Sequence, residues 1–195
     1  MVPSQKEKLL QYQGKYLNFG ITEGGEPRNA IGVPWEATAH AFNMRTPDVY
    51  LAPEDLADEE LMSQLRDFRI LGCYIFTPLE DYSFLAGFPT LQDIHIRSGS
   101  AIRDLFFLKD LEDLFMFYLE DANLKSLEHL FTAGGFHSYC LGLCNCKVAE
   151  LTPPPHRISE LVILQPEGTG ERERWKALSA LKYYYYEYKG GNHHG

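Results

Sequence analysis

Cysteine is scarce. Four residues in a chain of 195 are too few for a scaffold built on disulfides, and free thiols suit a reducing compartment, so a cytoplasmic location is expected without an exported one being excluded. No run of about 18 or more uncharged apolar residues occurs, which argues against a membrane-spanning helix. The opening stretch, Met1 to Lys8, carries both signs of charge and no apolar segment, so no secretory leader is expected. Basic residues are also in short supply, with 18 Lys and Arg against 27 Asp and Glu and a net charge of −9. The deficit is uneven. Positions 171–195 hold 5 basic and 3 acidic residues, which leaves 13 basic and 24 acidic residues in 1–170, a net of −11. Such a surface repels nucleic-acid phosphates and steers basic proteins toward it. Solubility alone is the competing explanation.

Catalytic signatures are missing too. The chain has no G-x-S-x-G, no G-x-x-x-x-G-K-[ST], no H-E-x-x-H and no dinucleotide-binding glycine fingerprint. The pairs Gly24-Gly25 and Gly134-Gly135 read as turn glycines. A zinc set from His137, Cys140, Cys144 and Cys146 matches no standard paired-ligand spacing, and strand alternation turns Cys140 away from its neighbours. No enzyme, no cofactor and no metal are therefore expected. The rival possibility is a catalytic site on the N-terminal loop around Trp35, Glu36, His40 and Arg45.

What is present is a recurring alternation. It runs Leu65-x-x-Phe68-x-Ile70, Leu91-x-x-Ile94-x-Ile96, Leu111-x-x-Leu114-x-Met116, Phe136-x-x-Tyr139-x-Leu141, Ile158-x-x-Leu161-x-Ile163 and Leu178-x-x-Leu181-x-Tyr183. A weaker copy starts at Thr46 with Val49 and Leu51. The starts at 46, 65, 91, 111, 136, 158 and 178 are 19, 26, 20, 25, 22 and 20 residues apart. Each copy reads as a short strand with one buried face, too small to be stable alone and able to form a continuous core when stacked.

These segments resemble the leucine-rich repeat, L-x-x-L-x-L-x-x-N/C with a period of 20–29 residues. The resemblance implies an α/β solenoid of about seven repeats over 46–189, with a curved parallel β-sheet and helices or extended loops on the convex side. Strands are expected near 67–71, 93–97, 113–117, 138–142, 160–164 and 181–186. Residues 1–45 are then an N-terminal cap, with a helix opened by Ser4 and a strand near Tyr16 to Ile21, and 190–195 a polar tail. Helical returns are expected at Pro53 to Leu56, at Asn123 to Phe131 and at Glu171 to Ala180 with Trp175 and Leu178 inward, and an extended return at Thr152 to Pro155.

The resemblance also implies that Cys73 and Cys144, at the ninth repeat position, point into turns, and that the third, fifth and seventh positions face outward on the concave side. The third positions include Asp48, Asp67, Asp93, Asp113 and Glu160, a ladder of carboxylates. Among the others are Arg69, His95, Arg97, Phe115 and Phe117. Two outward phenylalanines inside a charged rim have the character of a protein-binding patch. The expected function is thus a non-catalytic protein-interaction module, its partner a protein and a basic one included. The binding residues are Asp67, Arg69, Asp93, His95, Arg97, Asp113, Phe115 and Phe117. A structural or surface-array protein is the alternative. A one-residue error in register would exchange every inward and outward assignment.

Overall fold

The computed structural model describes residues 17–18, 48–51, 53–66, 70–75, 77–132 and 139–189. The expected N-terminal helix, the loop bearing Trp35, Glu36, His40 and Arg45, the polar tail, and Asp67 and Arg69 lie outside them. The architecture is mixed α/β and mostly parallel sheet. The strands are β1 (Leu17–Asn18), β2 (Asp48–Tyr50), β3 (Gly72–Ile75), β4 (Asp93–Ile96), β5 (Met116–Glu120), β6 (Asn123–Ser126), β7 (Cys140–Cys144), β8 (Lys147–Glu150), β9 (Ile158–Pro166) and β10 (Ala180–Tyr188). Eight of them form one sheet in the order β1-β2-β3-β4-β5-β7-β9-β10, not closed into a barrel, while β6 and β8 pair separately. Only β1 and β2 run antiparallel; every other pairing is parallel.

Parallel neighbours need a return between them, and these returns differ in kind. Helices α1 (Pro53–Leu56) and α2 (Glu59–Arg66) connect β2 to β3. Asp58 caps α2 by accepting the Leu61 N–H at 2.9 Å, and Glu59 and Glu60 favour its positive end. Single 3-10 turns, Ser83–Gly87 and Phe106–Leu108, serve the next two returns. A short helix, α3 (Glu128–Thr132), precedes β7, and α4 (Arg172–Trp175) with the 3-10 turn Lys176–Leu178 precedes β10. Residues 151–157, which hold the proline run, form no helix or strand. Among the described residues no helix is long and apolar enough to cross a membrane.

The alternation of side chains fixes the core. One row of inward residues along the sheet is Val49, Cys73, Ile94, Phe117, Leu141, Leu161 and Tyr183, joined by direct register and separated by 24, 21, 23, 24, 20 and 22 residues. All but Tyr183, which packs on the core half-buried, are at most 1% exposed. Trp175 and Leu178 are fully buried beneath β10, as the sequence predicts.

Several expectations need correction. Strands β3, β5 and β7 begin later than expected; at β3 and β5 the reason is that Leu65 and Leu111 are core residues of the returns and not of strands. Leu65 packs from α2, and Leu111 follows a 3-10 turn. An apolar residue on a return can satisfy the same i, i+3, i+5 pattern as one on a strand. Phe117 consequently faces the core, 1% exposed, and is no outward anchor. Asp113 is exposed but precedes β5, and Met116 occupies the position opposite Asp93. The helix expected at 123–131 is strand β6 followed by α3. The reason is the preceding turn. Asp121 and Asn145 hold φ of 59° and 49°, a left-handed conformation that Asp and Asn tolerate better than most residues, and their side chains bond at 2.7 Å. Both turns send the chain into the β6–β8 pair. Cys73 lies in β3 facing the core, and Cys144 ends β7, half-buried; the turn thiol is Cys146, fully buried, its Sγ 3.2 Å from the Leu119 carbonyl.

Candidate functional site

The side of the large sheet opposite the core is where the outward side chains line up. The parallel register puts Gly72, Asp93, Met116, Cys140, Glu160 and Lys182 in one row and Tyr74, His95, Tyr118, Gly142, Val162 and Tyr184 in the next. The second row is aromatic at its centre. His95 lies between Tyr74, with ring centroids 4.7 Å apart, and Tyr118, at 5.3 Å, and both pairs are stacked. Such contacts contribute about 0.5–1.5 kcal/mol beyond area burial. Carboxylates hold the rings in place. Asp93 accepts the Tyr74 hydroxyl at 3.1 Å, and its other oxygen lies 2.9 Å from His95 Nε2. That second contact is not an aligned hydrogen bond, since this oxygen is buried with no hydrogen-bond partner among the described residues. The Tyr118 hydroxyl donates to Glu120 at 2.8 Å, and burial, reinforced by that carboxylate, holds its pKa far above the usual phenol range.

Tyr118 reaches this position because its neighbour on β7 is glycine. A Cβ at Gly142 would run into the Tyr118 ring. Gly142→Ala is therefore expected to cost about 1–3 kcal/mol as an overpacking change, and to displace Tyr118 from His95. Ring-current shifts of the Tyr118 protons together with a urea titration check both effects; unchanged shifts would mean that the ring does not cover Gly142.

A groove of about 400 Å³ runs along the entry side of these strands, lined by Leu71, Gln92, Asp93, Phe115, Met116 and Tyr139. Phe115 is 39% exposed and Tyr139 is 54% exposed. Phe115 precedes β5, and its exposure has a backbone cause. The N–H groups of Phe115 and Met116 both donate to the Gln92 carbonyl, at 2.8 and 2.9 Å, as those of Gln92 and Asp93 both donate to Leu71. Two successive N–H groups converging on one carbonyl make a bulge-like kink, which breaks the strand alternation and re-aims a side chain. Leu114 and Phe117 point in while Phe115 is turned out.

Asp93 is the carboxylate among the groove's described lining residues. Burial, followed by the charges of Glu160 and Asp93, pushes the Cys140 thiol up to about 11. Of the residues predicted from sequence, Asp93, His95 and Phe115 do come together here, and Arg97 is exposed just past β4. Tyr74, Tyr118, Met116 and Tyr139 were missed, because placing β3 and β5 too early hid the aromatic row. No protein-family model, curated protein or solved structure matches the chain. Its chemistry must be read from the side chains alone. Among the described residues no cluster of three or more His, Cys, Asp or Glu could hold a metal ion. A second concavity of about 530 Å³ lies between the two 3-10 turns. Several of its polar groups are engaged locally, with Asp81 accepting from Ser83, Asp104 from the Phe106 N–H, Arg103 bonding to Ser100, and Lys109 lying over the Phe106 ring.

Proposed function

We propose that the chain is a non-catalytic protein-interaction module, a solenoid of about seven strand-and-return units resembling leucine-rich repeats, which binds a protein partner on the outward sheet face. Support for the architecture comes from strands that lie across the sheet in chain order and from inward residues recurring every 20 to 24 positions. The interaction reading rests on one observation. Two large aromatic side chains, Phe115 and Tyr139, stand exposed at a groove walled by Leu71 and Met116 and edged by Asp93. An apolar centre beside charge is the usual anatomy of a protein interface, and aromatic anchors carry much of its energy.

Affinity purification from the native source with the wild-type chain and with Phe115→Ala/Tyr139→Ala tests this. Losing an anchor worth about 2 kcal/mol weakens a saturable partner about thirtyfold or more. Because both side chains are exposed, the variant is expected to keep the wild-type urea midpoint. Equal retention of every captured protein by the two forms would refute the proposal.

A further inference from the structure

The interaction reading leaves the chemistry of the partner open, and the groove narrows it. We infer that the groove takes an arginine side chain from an extended, basic segment of a protein partner, with the aliphatic stem against Phe115 and Met116 and the guanidinium at Asp93. This inference rests on the interaction reading above.

Three features of the groove favour that occupant. Its walls are apolar and aromatic, which suits the stem of a long cationic side chain as well as an aliphatic one. The exposed rings of Phe115 and Tyr139 are faces over which a cation is attracted, arginine more often than lysine. Among the groove's described lining residues Asp93 is the one with a formal charge, and neither lysine nor arginine is among them. Glu160 stands in the same outward row two strands beyond Met116, with Lys182 opposite it on β10. Burial first, then both carboxylates, push up the pKa of the Cys140 thiol that lies between them. His95 Nε2 stands 2.9 Å from one Asp93 oxygen, and the other accepts the Tyr74 hydroxyl.

An uncharged apolar segment would fit the walls but leave the charge on Asp93 unanswered, and an acidic one would be repelled. Arginine is favoured over lysine because its planar group stacks on aromatic rings and is more weakly hydrated. The chain's own excess of acid, a net of −11 in positions 1–170, would draw a basic segment in from longer range.

The probe is a capped heptapeptide, Ser-Gly-Arg-Leu-Arg-Gly-Ser, compared with the same peptide carrying citrulline in place of both arginines. Citrulline keeps the shape and removes the charge. Binding is followed by NMR shifts of the Phe115 and Tyr139 ring protons. The arginine peptide is expected to bind wild type about tenfold or more tightly than the citrulline peptide. Asp93→Asn, which keeps an acceptor for the Tyr74 hydroxyl, is expected to remove most of that difference while leaving the citrulline peptide unaffected. Glu160→Gln is expected to reduce it by a smaller factor. Equal affinity of the two peptides, or an Asp93→Asn effect of the same size on both, would overturn the assignment. The two levels of the proposal separate cleanly. A native partner lost with Phe115→Ala/Tyr139→Ala but indifferent to Asp93→Asn removes arginine and keeps the interaction reading. A chain whose captured proteins all survive the aromatic double variant, and which binds neither peptide, loses both.

Discussion

Truncating Phe117 to alanine is expected to lower the unfolding free energy by about 3–5 kcal/mol, the range for a large aromatic side chain removed from a packed core. Phe117 is 1% exposed and sits in direct register between Ile94 and Leu141, both fully buried. Its loss removes apolar burial and leaves a cavity in the middle of the sheet, flanked by strands that cannot close over it without breaking their ladder. A domain of ordinary stability has only about 5–15 kcal/mol in total, so the variant should have a far lower urea midpoint or fail to accumulate. Phe115→Ala, two residues away, is expected to stay within about 0.5 kcal/mol of wild type, as exposed substitutions usually do. The pair together tests the register, since a one-residue slip would interchange the two outcomes. If Phe115→Ala proves the destabilising change, both the core and the groove have been placed on the wrong sides of the sheet.

The same two residues mark how much was legible in the sequence. Strands β4 and β9 were found where they are because the inward pair, Ile94/Ile96 or Leu161/Ile163, directly follows a carboxylate, Asp93 or Glu160, and no competing apolar residue stands three positions earlier on a helix. The tyrosine run of β10 was equally plain from β propensity. At β3 and β5 the returns are themselves apolar, and Leu65 and Leu111 offered an equally good start to the pattern. The structural spacing of 20 to 24 residues is more even than the 19 to 26 read from sequence. Requiring the most uniform spacing would thus have favoured Cys73/Ile75 and Phe117/Leu119. Tyr74 and Tyr118 would then have fallen in one row with His95. The left-handed turns at Asp121 and Asn145 were harder to see, since Leu124, Leu127 and Leu130 at intervals of three mimic a helical face. Phe115 was placed outward correctly but for a wrong reason. It was counted as a strand residue, whereas the kink at the Gln92 carbonyl is what turns it out, and a bulge of that kind has no sequence signature without glycine.

Alkaline pH is expected to unfold this chain well before it would disturb a protein without buried thiols, and Cys146 is the main cause. Its side chain is fully buried, with Sγ 3.2 Å from the Leu119 carbonyl and 3.3 Å from that of Cys144. A thiol can donate to such oxygens, but a thiolate would face them as another negative charge. Burial accordingly pushes the Cys146 pKa up to about 12, and Cys140 and Cys144 are held at about 11 by burial and by Glu160 and Glu120 respectively. In the unfolded chain these thiols deprotonate near their ordinary value, about 9. The folded state therefore keeps protons that the unfolded state releases, and linkage makes stability fall with rising pH. The contribution is intact below the ordinary thiol pKa and is lost progressively as pH rises toward 12. For Cys146 alone, a displacement of roughly three pKa units corresponds to on the order of 4 kcal/mol once fully expressed. Between pH 7.5 and about 10.5 roughly half of it should appear, about 2 kcal/mol. Urea titrations of wild type and Cys146→Ala at the two pH values measure this directly. Alanine there loses a hydrogen bond and some packing, so the variant starts lower at pH 7.5. Its further loss on going to pH 10.5 should be smaller than that of wild type by about that 2 kcal/mol, because the two chains differ only at this thiol. If the two lose equal stability, the Cys146 thiol is ionising freely in the folded chain and the turn after β7 is open to water.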